Sequence, residues 1–218
     1  MASFSSAHML AQARQHPLLP VFYHASEEYA RTVLAAGYAA GVRLFEFTNR
    51  GHEAPVIFAR LQRFVEAEYP DLLLGAGTIY TPEEAGRFIE AGADFIIQPI
   101  TSPEVAAICR SHDLAWLPGA QTLNEVYAAH QLGATLVKLY PSAYLTPAYL
   151  AILRGPLPHV PLMATGGIQP TVAAMAEWQA AGATCVGLDA RLLATTELAK
   201  LTVQFAELLA ALRPTPAQ

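Results

Sequence analysis

The sequence predicts a (β/α)8 barrel of the TIM type with an extra N-terminal helix. Eight short apolar or β-branched runs alternate with Ala-rich amphipathic stretches along all 218 residues, with no linker or composition shift. Four segments, AAGVRLFEF, EAGADFIIQP, QLGATLVKLYP and AAGATCVGLD, share a helix end, a Gly, a small residue and then a strand. Their glycines, Gly41, Gly92, Gly133 and Gly182, fall where a left-handed cap ends a helix before every second strand. The G-x-G-x-x-G signature of an open dinucleotide-binding sheet is absent. A count of eight strands with that regularity favours a closed barrel.

Taken in order, a helix over about 3–15 precedes the first strand, Leu18–Tyr23, and a helix near 26–39. Strand Leu44–Thr48 leads to a helix at 54–68, and strand Leu72–Ala76 to one at 82–91. The latter opens with Thr81-Pro82-Glu83-Glu84, a cap residue before Pro with acids in the first turn. Ser102-Pro103-Glu104 repeats that signal after strand Phe95–Gln98 and starts a helix at 103–111. Strands Ala115–Pro118, Leu136–Tyr140, Pro161–Ala164 and Cys185–Leu188 complete the eight, followed by helices at 122–131, 147–153, 170–180 and 195–212. The chain reads as one domain over 1–218, with the N-terminal helix in 1–16 and a flexible tail at 213–218.

Composition narrows the function classes. Charged residues are 14% of the chain and hydrophobic ones 53%, so much of it must be buried in a core or against other subunits. A net charge of −5 without a Lys/Arg run argues against nucleic acid or an anionic membrane as partner. The longest uncharged stretch, 155–176, contains four prolines and the Gly166–Gly167 pair, which a membrane-spanning helix would not tolerate cheaply. The N-terminus has neither an early basic region nor a continuous apolar one, so no secretory signal is expected and the location reads as cytoplasmic. There Cys109 and Cys185 are expected to be unpaired buried thiols.

In such a barrel, chemistry sits at the C-terminal ends of the strands. Lys138 lies in the apolar run ATLVKLYP, where Leu136, Lys138 and Tyr140 share one face and Val137 and Leu139 the other. Burying an ammonium under the outer helices would cost several kcal/mol, so Lys138 is expected to point into the barrel. Of the 13 basic residues only Lys138 and Lys200 are lysines. A lysine kept where the chain otherwise uses Arg suggests chemistry that needs a deprotonatable amine, such as Schiff-base formation. Pairing with a structural carboxylate is the plainer alternative.

Glu46 in LFEFTNR shares its face with Leu44 and Thr48, opposite Phe45 and Phe47, and so faces the same interior. It is either the partner of that ion pair or a general acid/base with a pKa raised by burial. Arg50, just beyond the strand, can reach over the mouth with a fork suited to a carboxylate. Gly75-Ala-Gly-Thr78 and Gln98-Pro99 close the third and fourth strands, and Thr165-Gly166-Gly167-Ile168 closes the seventh, where barrel loops often offer N–H groups to phosphate.

LFEFTNR, GAGT, QP, PGAQTLNE, VKLYP and TGGI stand in order over nearly the whole chain. In that combination the sequence resembles the 2-keto-3-deoxy-6-phosphogluconate aldolase / 4-hydroxy-2-oxoglutarate aldolase family, class I aldolases on a (β/α)8 barrel. The resemblance implies that Lys138 is the Schiff-base lysine and Glu46 the proton-shuttling acid/base. It also implies that Arg50 and Thr78 contact the substrate carboxylate side, that Tyr140 replaces the family's aromatic residue after the lysine, and that Pro99, Gly166 and Gly167 line the substrate site. It implies a 2-oxo acid substrate, pyruvate as product, no metal or other cofactor, and a homotrimer.

At the end of the eighth strand, phosphate-binding members of that family carry Gly-Ser, and this chain has Asp189-Ala190. A carboxylate about 4 Å from a phosphate dianion costs a few kcal/mol even at an effective dielectric of ~20. Three readings follow: Arg191 compensates, or the substrate is an unphosphorylated 2-oxo acid with Asp189 accepting from a hydroxyl, or the barrel is non-catalytic with a degenerate phosphate site. A metal-dependent aldolase is disfavoured by seven scattered histidines without ligand spacing, and a phosphate-binding isomerase rests on fold analogy alone.

Overall fold

The structure is a computed structural model, and it describes residues 4–195 and 197–212. Helix α1 (Ser6–Gln15) is followed by β1 (Leu18–Phe22), α2 (Glu27–Ala39), β2 (Leu44–Thr48), α3 (Ala54–Glu68), β3 (Leu73–Gly77), α4 (Pro82–Glu90), β4 (Phe95–Ile97) and α5 (Pro103–Ser111). Then come β5 (Ala115–Leu117), β6 (Gly119–Ala120), α6 (Leu123–Gln131), β7 (Val137–Leu139), α7 (Pro147–Leu153), β8 (Leu162–Thr165), α8 (Val172–Ala180) and β9 (Cys185–Leu188). A short α9 (Arg191–Thr195), a 3-10 turn (Leu198–Lys200) and α10 (Leu201–Leu212) end the described chain.

All strand pairs are parallel, in the order β5-β4-β3-β2-β1-β9-β8-β7-β6. The two ends of that row, β5 and β6, are separated in sequence only by Pro118, so the sheet closes into a barrel. The expected fifth strand, Ala115–Pro118, is therefore two pieces. Pro118 has no N–H to donate, yet its carbonyl accepts from Lys138 N–H at 2.8 Å, between Trp116 accepting from Thr135 and Ala120 from Tyr140. On the other side Leu117 accepts from Gln98 N–H and Gly119 donates to Ile100. The interrupted segment thus bonds to both neighbours and occupies one of eight barrel positions.

Most other element bounds shift by one or two residues, and the C-terminal region differs more. The last predicted helix, 195–212, is a 3-10 turn followed by α10, preceded by the unanticipated α9. Part of that expectation, residue 196, lies outside the described residues, as do the start of the 3–15 helix and the expected tail at 213–218. The helix starts are well signalled: Thr81 and Thr122 both form full capping boxes, with Glu84 and Glu125. The four repeat glycines all end helices at φ between 93° and 95°.

The core is layered as period-two alternation requires. Phe45, Phe47, Val137 and Leu139 pack outward against the helices. Leu19, Leu44, Leu73, Phe95, Leu117, Leu136, Met163 and Cys185 fill the barrel interior. Met9 and Ala13 of α1 join that interior cluster, so the N-terminal helix plugs the end of the barrel away from the strand C-termini. Cys109 and Cys185 are free and buried, and burial pushes the Cys109 thiol up to about 12. Among the described residues no helix is long and apolar enough to cross a membrane.

Asp94, on the turn into β4, is 1% exposed. Its Oδ2 accepts from Leu74 N–H at 2.9 Å and from Gln62 Nε2 at 3.3 Å. Burial outweighs those bonds and pushes the carboxyl up to about 7. The folded state therefore holds a proton that the unfolded chain loses near pH 4. The resulting stability is fully present below that pH and is lost as pH rises through about 7. Asp94→Asn keeps the acceptor for Leu74 and removes the titration. In urea unfolding it is expected to exceed the native protein's stability at pH 8 by ~2–4 kcal/mol, the gap closing toward pH 4; an unchanged pH slope in the variant would contradict this account.

Candidate active site

With β5 and β6 counted as one position, β2 and β7 are four positions apart in a barrel of eight, on opposite walls. Glu46 of β2 and Lys138 of β7 are 1% and 5% exposed and meet across the barrel axis, with Lys138 Nζ 3.6 Å from Glu46 Oε2. That is an ion-pair distance, too long for a hydrogen bond, and Glu46 Oε2 has no hydrogen-bond partner among the described residues. Burial raises the Glu46 pKa above the ordinary carboxylate range, opposed by the charges of Lys138 and Arg50. The result is a carboxyl poised to gain and lose a proton beside an amine. The Lys138 ammonium also lies 5.1 Å from the Tyr140 ring centre.

Above this pair a cavity of about 410 Å³ opens at the C-terminal ends of the strands. Each residue expected at the site lines it: Glu46, Lys138, Arg50, Thr78, Pro99, Tyr140, Gly166, Gly167 and Asp189. Thr48 and Thr165, both buried, add hydroxyls to its wall, and Arg191 stands at its rim. Among the described residues, no carboxylate lies within ion-pair distance of Arg50. Its guanidinium thus suits a substrate carboxylate. Thr78 takes φ 61°, an uncommon conformation for a non-Gly residue that puts it at the mouth.

Several supporting residues were not assigned a role from the sequence. Val21, Tyr80, Pro141 and Ala143 also line the cavity and escaped the sequence reading. Buried Gln98 accepts from the Trp116 indole at 2.8 Å and donates to the Ile79 carbonyl at 3.1 Å, tying the loop that bears Thr78 to β5. Ser142 donates its hydroxyl to Leu139 O and accepts from Thr165 N–H, both at 3.0 Å. Ala143 N–H reaches Gly166 O at 2.7 Å, so the loop after Lys138 is fastened to the Gly166–Gly167 turn. Both glycines take positive φ, and a Cβ on either would strike Tyr140 or Ala143.

Asp189 is engaged by the protein itself. Its carboxylate accepts from Gly167 N–H at 3.2 Å and is gripped by Arg191, whose Nε and Nη2 lie 2.9 and 3.0 Å from its two oxygens. Arg191 N–H adds a contact at 3.1 Å. The carboxylate's oxygens are thus occupied by donors of the protein itself. Among the described residues no three His, Cys, Asp or Glu side chains group to hold a metal ion.

The parallel barrel is shared with aldolases of known structure. A solved 4-hydroxy-2-oxoglutarate / 2-dehydro-3-deoxyphosphogluconate aldolase superposes with a TM-score of 0.83 at 28% identity, over 94% of this chain and 98% of that one. The 2-dehydro-3-deoxy-phosphogluconate aldolase of Treponema pallidum is 33% identical over 69% of this chain and 70% of its own length. The 2-dehydro-3-deoxy-6-phosphogalactonate aldolase of Escherichia coli is 30% identical over 64% and 68%. The family model for KDPG and KHG aldolases matches residues 9–205. The chain belongs to that family of aldolases, which are lyases.

Room for Glu46 depends on a neighbouring strand. Thr48 and Gly77 are paired in the β2–β3 register, and a Cβ on Gly77 would overlap the Glu46 carboxylate. Gly77→Ala is expected to displace that carboxylate by about 1 Å and to lower kcat for aldol cleavage about 10²-fold. Adding Glu46→Asp, one methylene shorter, should cost less in this background than in the native one. Full additivity of the two changes in kcat would show that they do not touch.

Proposed function

We propose that this chain cleaves 2-keto-3-deoxy sugar acids or related 4-hydroxy-2-oxo acids to pyruvate and an aldehyde through a Schiff base on Lys138. One observation carries the reading: two buried ionisable side chains from opposite barrel walls meet 3.6 Å apart at the floor of the cavity. Unpaired in any other way, such groups are expensive to keep in a barrel core.

The neutral amine of Lys138 attacks C2 of the 2-oxo acid, and the carbinolamine loses water to give an iminium. Arg50 and Thr78 hold the C1 carboxylate at the mouth, and the pyruvyl portion lies against Tyr140 and Pro99. Glu46, through a bound water, takes the proton of the C4 hydroxyl. The C3–C4 bond breaks, its electron pair passes into the iminium to form an enamine, and the aldehyde leaves. Glu46 returns the proton to C3, and water hydrolyses the pyruvyl iminium to release pyruvate and Lys138. The raised pKa of Glu46 supports this double duty, since proton transfer in both directions is fastest when the pKa lies near working pH.

The chain acts as a single barrel domain of the cytoplasm and assembles as a homotrimer. Exposed Ile100, Leu123 and Tyr127, on the β4–α5 connection and α6, support the assembly as apolar surface for subunit contact. Incubation with pyruvate and borohydride, followed by peptide mass spectrometry, tests the chemistry. A pyruvyl adduct on Lys138 is expected, and no adduct under conditions that trap a known class I aldolase would overturn the reading.

A further inference from the structure

The rim of the cavity after β9, two barrel positions from the β2 end that carries Arg50, holds an ion pair that belongs to the protein. Asp189, at the end of β9, places both oxygens against four donors: Arg191 N–H at 3.1 Å and Nε at 2.9 Å on Oδ1, Gly167 N–H at 3.2 Å and Arg191 Nη2 at 3.0 Å on Oδ2. A carboxylate offers about four lone-pair positions, so these contacts use its accepting capacity. Arg191 Nη2 is further held by the Ile168 carbonyl at 3.3 Å, on the turn that follows β8. The positive-φ Gly166–Gly167 turn is the kind of backbone that cradles an oxyanion. Here the oxyanion it meets is Asp189.

Resting on the aldolase reading above, we infer that the Asp189–Arg191 pair is a built-in anion that sets specificity: the aldehyde half of the substrate ends in an uncharged, hydroxyl-bearing group and not in phosphate. Three features support this. The Gly167 N–H and the Arg191 fork, donors that could face a distal phosphate at this rim, are both engaged by Asp189. Such a phosphate would also stand beside a carboxylate that remains ionised, because burial raises the Asp189 pKa but the Arg191 contacts and backbone donors outweigh it. Finally, Asp189 and Arg191 are two residues apart on one connection and share three of the four contacts, so the pair forms without substrate. A neutral hydroxyl meets no such charge opposition. The relatives from Treponema pallidum and Escherichia coli are named for phosphorylated sugar acids, so the pair would separate this chain from them by charge at one end of the substrate.

The test compares kcat/KM for 2-keto-3-deoxygluconate and its 6-phosphate in the native enzyme and in Asp189→Asn and Asp189→Gly. The native enzyme is expected to favour the unphosphorylated acid by about tenfold or more. Asp189→Asn keeps the shape and frees the Arg191 charge. Asp189→Gly also frees Gly167 N–H. Both should shift the ratio toward the phosphate, the glycine variant by about 100-fold. Native preference for the 6-phosphate, or a ratio unmoved in both variants, would overturn the inference. Pyruvate trapping on Lys138 is measured in parallel: its loss in the native enzyme would instead count against the aldolase reading, so the two failures are distinguishable.

Discussion

Lys138→Arg is expected to abolish aldol cleavage, with kcat falling by on the order of 10⁴-fold or more, and to leave no borohydride-trapped pyruvate. A guanidinium is not deprotonated in proteins, so it cannot supply the lone pair that attacks C2. It does keep a positive charge opposite Glu46, so the buried carboxylate is not left without a counter-charge. The melting temperature is therefore expected to change far less than activity. Arg is bulkier than Lys, and Lys138→Met supplies the complementary variant. It removes the charge at similar length, and Glu46 then loses the main partner opposing its burial and stays protonated to higher pH. Both variants must lose the adduct. An adduct of unchanged yield in either would place the Schiff base on another amine.

Glu46→Gln separates proton transfer from imine formation. The amide cannot accept the C4 hydroxyl proton, and kcat is expected to fall about 10²–10⁴-fold. The amine of Lys138 is untouched, so pyruvate is still trapped by borohydride. The pH profile gives a sharper reading. Glu46 must be ionised to act as base, and burial holds its pKa above the ordinary carboxylate range despite Lys138 and Arg50. In the native enzyme kcat should therefore fall as pH drops through that raised value, well before an exposed carboxylate would titrate. The acidic limb should vanish in Glu46→Gln. If the limb persists there, some other group governs it and Glu46 only balances the charge of Lys138.

Much of the site was legible in local patterns. Period-two alternation decides which strand residues share a face, and the cost of an ammonium under the outer helices then sends Lys138 inward. The same alternation puts Glu46 inward, opposite Phe45 and Phe47, and the structure has both phenylalanines in the outer layer. The repeat glycines announce helix ends because few other residues accept φ near 94°. Pro118 was harder to read. Alternation carried the fifth strand through it, whereas a residue without an N–H splits the strand and leaves its carbonyl to bond Lys138 N–H.

Gln98 was legible as part of the Gln98-Pro99 strand end but not in its bonds, and Ser142 and Ala143 were not legible as supports of the site. Each acts through a partner 18 to 23 residues away or across a loop, and a lone Ser or Gln in a sequence does not say what it will bond. Asp189 was legible as a departure from the Gly-Ser that the family resemblance implied, but not in its consequence. Its contacts to Gly167 join residues 22 apart and depend on β8 and β9 lying side by side.

The sequence by itself thus determined the alternating architecture, the inward face of each strand, and the identity of the one lysine and one glutamate carrying the proposed chemistry. These follow from covalent periodicity and from the cost of burying charge, and both act within a few residues. Only the tertiary structure decided that Lys138 and Glu46 face each other and that Asp189 meets the Gly167 turn at the rim. Those are distances between segments far apart in the chain, and they exist only once the ends of the sheet meet around Pro118 and close the barrel.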